Sequence, residues 1–71
     1  MKHEKIYTDS KVVSKLVYDT ENETLDVTYL TGKTWRYFGF PEQLYQDAIK
    51  EKSIGSFIHK VKNHYRCEPI A

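Results

Sequence analysis

Residues 24–37 read TLDVTYLTGKTWRY, and the way this stretch pairs with itself decides the fold. From Thr24 to Tyr29 the residues alternate. Leu25, Val27 and Tyr29 point one way and Thr24, Asp26 and Thr28 the other, the period of a half-buried strand. Gly32 marks the turn. With Leu30-Thr31-Gly32 as a three-residue loop and Gly32 in the left-handed region, Tyr29 pairs with Lys33, Thr28 with Thr34, Val27 with Trp35, Asp26 with Arg36 and Leu25 with Tyr37. One face then carries Leu25, Val27, Tyr29, Trp35 and Tyr37. The other sets Thr28 against Thr34 and Asp26 against Arg36, cross-strand pairs worth about 0.2–1 kcal/mol each. A two-residue loop at Thr31-Gly32 would slip the pairing by one, set Val27 against Arg36 and turn Trp35 to the polar face. Only the three-residue loop satisfies every pair.

Working outward, Val12 to Tyr18 is rich in β-branched and aromatic residues and predicts a preceding strand, with an irregularity near Lys15. The polar run Asp19-Thr20-Glu21-Asn22-Glu23 predicts the turn between the two. Downstream, Gly39-Phe40-Pro41 ends the sheet and Pro41 is placed as the first residue of a helix, where its missing N–H costs nothing. Leu44, Tyr45, Ala48 and Ile49 follow at helical spacing. Ser53 or Ser56 is positioned to cap a second helix with the apolar stripe Ile54, Phe57, Ile58 and Val61 and with His59, Lys60, Lys62 and Asn63 facing outward. Pro69 forbids a helix in the tail, where Tyr65 and Ile70 are available to dock. Residues 1–9 show no periodicity and are read as a flexible lead-in, and 10–71 as a single domain. The expected fold is α+β: a three-stranded antiparallel meander followed by two helices packed on one sheet face, the face of Leu25, Val27, Tyr29, Trp35 and Tyr37. Three strands alone bury too little.

This pattern resembles the KTSC domain, named for the C-terminus of some lysyl-tRNA synthetases and also found as stand-alone bacterial and phage proteins. The residues that carry the resemblance are Val13, Leu16, Tyr18 and Asp19, then Leu25, Val27, Tyr29 and Gly32. The aromatic-x-aromatic centre Trp35-Arg36-Tyr37 with Phe38 follows, then Phe40-Pro41-Glu42, Tyr45, Gly55, Phe57 and Ile58. It spans about Ser10 to Tyr65. The chain departs from the family pattern at Trp35, where tyrosine is usual, and at Val17, where glycine is common. The resemblance implies a domain of unestablished function, for which the synthetase context suggests RNA binding. That link is an association and supplies no mechanism.

The 71 residues leave room for one core, and cores of this size hold only about 3–5 kcal/mol. Cys67 is the only cysteine, so no disulfide can form within the chain, and a single thiol fits a reducing compartment. The N-terminus lacks the apolar stretch of a signal peptide, and no apolar run approaches a membrane span. A soluble, cytoplasmic protein with no membrane partner is expected. The net charge is +1. Residues 1–49 carry six basic and eight acidic side chains, and residues 50–71 five and two. The C-terminal third is therefore locally basic, as a polyanion-binding face or a solvated helix face would be.

Aromatic residues make up 14% of the chain. They serve either a small core or a stacking surface. Because Trp35 and Tyr37 share a face with Leu25 and Val27, they are assigned to the interior, under the helices.

The other constellations are thin. His59, His64 and Cys67, with His3 as a fourth, lack the tight ligand pairs of a zinc site. Cys67 with His59 or His64 would need a positioned base and an oxyanion hole, in a tail read as mobile. The three glycines are too scattered to cradle phosphate. Glu21 and Glu23 lie in a turn and serve to solvate it. No enzyme, cofactor or metal is expected. The reading is a non-catalytic binding module, with RNA or single-stranded nucleic acid as partner and Arg36, Lys60, Lys62 and Arg66 as phosphate contacts. The alternative is a protein-interaction or self-association module, a homodimer included, that uses a sheet edge or the open face.

Overall fold

The hairpin at residues 24–37 folds in the register its side chains demand. A computed structural model of the chain describes residues 1–70. Its elements are β1 (Lys2–Ile6), β2 (Val13–Asp19), β3 (Thr24–Tyr29), β4 (Thr34–Tyr37), α1 (Glu42–Lys50), α2 (Ile54–Val61), a 3-10 turn at Lys62–His64, and β5 (Cys67–Pro69). Between β3 and β4, Leu25 faces Tyr37, Asp26 faces Arg36, Val27 faces Trp35 and Thr28 faces Thr34. The Tyr29 N–H donates to the Lys33 carbonyl at 2.8 Å. Gly32 closes the loop at φ +93°, a conformation that L side chains resist. The irregularity expected near Lys15 is present as a register shift between Val13 and Lys15.

The sheet has five antiparallel strands in the order β1-β2-β3-β4-β5, not three. Residues 1–9, read as a lead-in, contribute β1, which pairs with β2 from Lys2 opposite Asp19 to Ile6 opposite Lys15. The strand KHEKI is held by its backbone ladder, since it adds no buried side chain. The tail contributes β5, which sets Cys67 against Tyr37, Glu68 against Arg36 and Pro69 against Trp35. Pro69 is tolerated there because β5 is an edge strand.

Both helices lie on the expected face. Val13, Leu16, Tyr18, Leu25, Val27 and Tyr37 from the sheet meet Phe40, Tyr45, Ala48, Ile54 and Ile58. Full burial of an aliphatic side chain such as Leu16 or Leu25 is worth about 1.5–3 kcal/mol. Tyr18 stacks on Tyr45 with ring centroids 4.9 Å apart, and its hydroxyl donates to the Phe40 carbonyl. Phe40 in turn packs on Tyr65 at 5.0 Å, so the tail docks on the body as expected. Pro41 caps α1 from an extended conformation, φ −67° and ψ 145°, one position before the helix proper. Ser53 caps α2, its Oγ accepting from the Ser56 N–H at 3.4 Å. No helix among the described residues is long and apolar enough to cross a membrane.

Candidate nucleic-acid interface

Of the eleven Lys and Arg side chains, three are ion-paired and four line a groove beside α2. On the side without helices, Arg36 holds Asp26 through two bonds, Nε to Oδ1 at 2.8 Å and Nη2 to Oδ2 at 3.0 Å. Lys15 lies 3.9 Å from Glu4. Arg66 reaches Glu68 at 2.9 Å, and its guanidinium sits over the Phe38 ring at 5.2 Å. The hydrogen bond to Asp26 pushes the Arg36 pKa further up. Each of these cations already has an acid beside it.

The helix side is different. The chain between β1 and β2 passes beside α2 and leaves a groove of about 760 Å³. Gly55 permits the close approach, because a Cβ there would stand 3.0 Å from Val12 Cγ2. Lys11 enters the groove from the β1–β2 connection, Lys52 from the residue before the α2 cap, and His59, Lys60 and Lys62 from α2 and the turn after it. Asp9 is the one acid on its walls among the described residues. These side chains are exposed because Ile54 and Ile58 take the buried stripe of α2. Tyr7 also lines the groove. Its hydroxyl is buried without a hydrogen-bond partner among the described residues, and burial raises its pKa.

A second hollow of about 400 Å³ adjoins this groove. It is lined by Tyr29, Trp35, Tyr37, Lys62, Asn63 and Cys67, and it shares Tyr29 and Lys62 with the first. Here the sequence expectation needs correction. Trp35 lies on the helix-covered face, yet it is only half-buried. Lys62 and Asn63 of the 3-10 turn line the hollow together with the indole. Tyr37 is interior, at 4% exposure. Its hydroxyl lies 3.0 Å from that of Tyr29, and burial followed by this contact drives its pKa well above the usual tyrosine value.

The structure therefore brings Lys60 and Lys62 together and sets Arg36 and Arg66 apart from them, on the opposite side of the sheet. Sequence reasoning missed Lys11 and Tyr7, because both sit in an irregular segment whose path no local pattern encodes. Lys52 was countable in the basic C-terminal third, but its place on the groove wall before the α2 cap was not visible. Cys67 belongs to β5 and not to a mobile tail. Among the described residues, no three His, Cys, Asp or Glu side chains form a group that could hold a metal ion.

A comparison with curated proteins finds no match. The fold is similar to the crystal structure of a KTSC domain protein from Yersinia pestis, with a TM-score of 0.90 and 25% sequence identity over 100% of both chains. The family model of the KTSC domain matches residues 9–65, from the β1–β2 connection through α2 to the tyrosine that packs on Phe40. The chain belongs to the KTSC domain family.

Proposed function

We propose that this domain is a non-catalytic binding module for RNA or single-stranded nucleic acid, held by phosphate contacts along the groove beside α2. One observation carries the reading: Lys11, Lys52, Lys60 and Lys62 line a single groove in which Asp9 is the one acid among the described residues. On the other side of the sheet Arg36 and Arg66 are paired with carboxylates. Cations along a concave path suit a phosphodiester backbone. In this reading Lys60 and Lys62 stay in the proposed contact set, and Arg36 and Arg66 leave it because each lies beside a carboxylate.

The test is fluorescence anisotropy of a labelled single-stranded RNA over a salt series. Binding is expected at low salt, with log K falling against log salt by about 0.7 per phosphate neutralised. Lys60→Glu and Lys62→Glu each weaken binding and flatten that slope. Absence of binding at low ionic strength defeats the proposal. The protein-interaction reading has less support. The exposed apolar residues Ile6 and Ile70 lie at opposite edges of the sheet, and only Val12 and Leu30, joined by a backbone hydrogen bond, are neighbours among the exposed apolar side chains named with them. A concentration-dependent dimer in sedimentation would favour it.

A further inference from the structure

We infer that the hollow beside Trp35 is a subsite for one unpaired nucleobase of the strand whose phosphates occupy the α2 groove. The inference rests on the groove reading and adds to it the kind of nucleic acid the domain selects. The indole is half-buried, so it is anchored in the sheet yet keeps surface toward the hollow. Tyr29 and Tyr37 supply further aromatic wall, and their hydroxyls are engaged with each other at 3.0 Å. The space, about 400 Å³, suits a flat aromatic group of one or two rings. Asn63 lies on its rim with an amide that both donates and accepts, as a base edge does.

Charge decides the occupant. Lys62 borders both the hollow and the groove. An apolar side chain from a protein partner would cover the indole and leave this ammonium unanswered. A nucleotide brings its own phosphate to Lys62 while its base lies on Trp35. A base can enter only when it is unstacked from its neighbours, so the subsite selects single strands over duplex.

Trp35 is the only tryptophan, which makes it the reporter. The intact chain is titrated with three probes of equal length: a single-stranded RNA, a strand that lacks all its bases but keeps its phosphates, and a duplex. The single strand should bind and quench Trp35 emission. The base-free strand should bind roughly 5- to 150-fold more weakly, the equivalent of one stacked base, and leave the emission unchanged. The duplex should also leave it unchanged. In Trp35→Leu the single strand should fall to the level of the base-free strand. The comparison of strands on the native chain stands without that variant, should it fail to fold. Equal affinity for both strands with unaltered emission overturns the subsite and leaves the groove reading intact. Failure of every probe to bind overturns both.

Discussion

Gly32 is the residue on which the register turns. Its φ of +93° places any L residue in strain, at about 1–2 kcal/mol. Nothing lies within 4 Å of a Cβ built there, so the cost is conformational and not steric. Gly32→Ala should lower unfolding stability by that amount in urea, with no change in slope. Arg36 makes the opposite kind of case. Its register opposite Asp26 was legible because the two-residue loop would have set Arg36 against the apolar Val27. Its role was not, because a sequence does not say which cations are already neutralised. The pair is partly exposed, with side chains 37% and 17% accessible, so its worth is about 0.2–1 kcal/mol. Arg36→Met should cost no more than this in denaturant melts and leave RNA affinity unaltered. A large loss of affinity would return Arg36 to the binding surface.

At the scale of elements, the central strands and helices announce themselves through apolar spacing, and the two edge strands do not. β2, β3 and α2 each present a buried stripe. β1 presents none, since four of its five residues are exposed and His3 is the exception. Its place follows from backbone hydrogen bonds to β2, which any sequence can make. β5 hides for a related reason: it is three residues long and includes a proline. Amides of β1 should therefore exchange with solvent far faster than those of β3 at the centre of the sheet, the low-stability end of the molecule. Equal protection would mean that another surface covers that edge. α2 was readable up to a choice of two caps, Ser53 or Ser56, of which Ser53 serves. Ser53→Ala removes the oxygen that accepts from the Ser56 N–H and should cost about 1 kcal/mol. Because Lys52 precedes the cap and Lys60 follows within the helix, the same change should loosen one wall of the groove and weaken RNA binding modestly.

At the scale of the whole molecule, a net charge of +1 conceals a local clustering, with Lys15, Arg36 and Arg66 each beside a carboxylate and four lysines gathered beside α2. The position of Trp35 between those lysines and the core was not legible, because it depends on where the turn after α2 passes. The aromatic interior sets a second global property. Tyr7, Tyr18, Tyr37 and Tyr45 all have pKa values raised above the ordinary tyrosine value, with burial the largest cause in each. A group whose pKa is higher folded than unfolded contributes stability that is complete below the unfolded value and is lost as pH rises through the folded one. The unfolded value for tyrosine is about 10. Melting temperature should therefore hold through neutral pH and begin to fall above about pH 10. Tyrosinate absorbance of the buried rings should appear together with that loss of structure, since Tyr18 cannot ionise and still donate its proton to the Phe40 carbonyl. Tyrosine titration that completes near pH 10 with the fold intact would show that Tyr18, Tyr37 and Tyr45 are not sealed in the core, and the division between a closed interior and one open aromatic corner would fail with it.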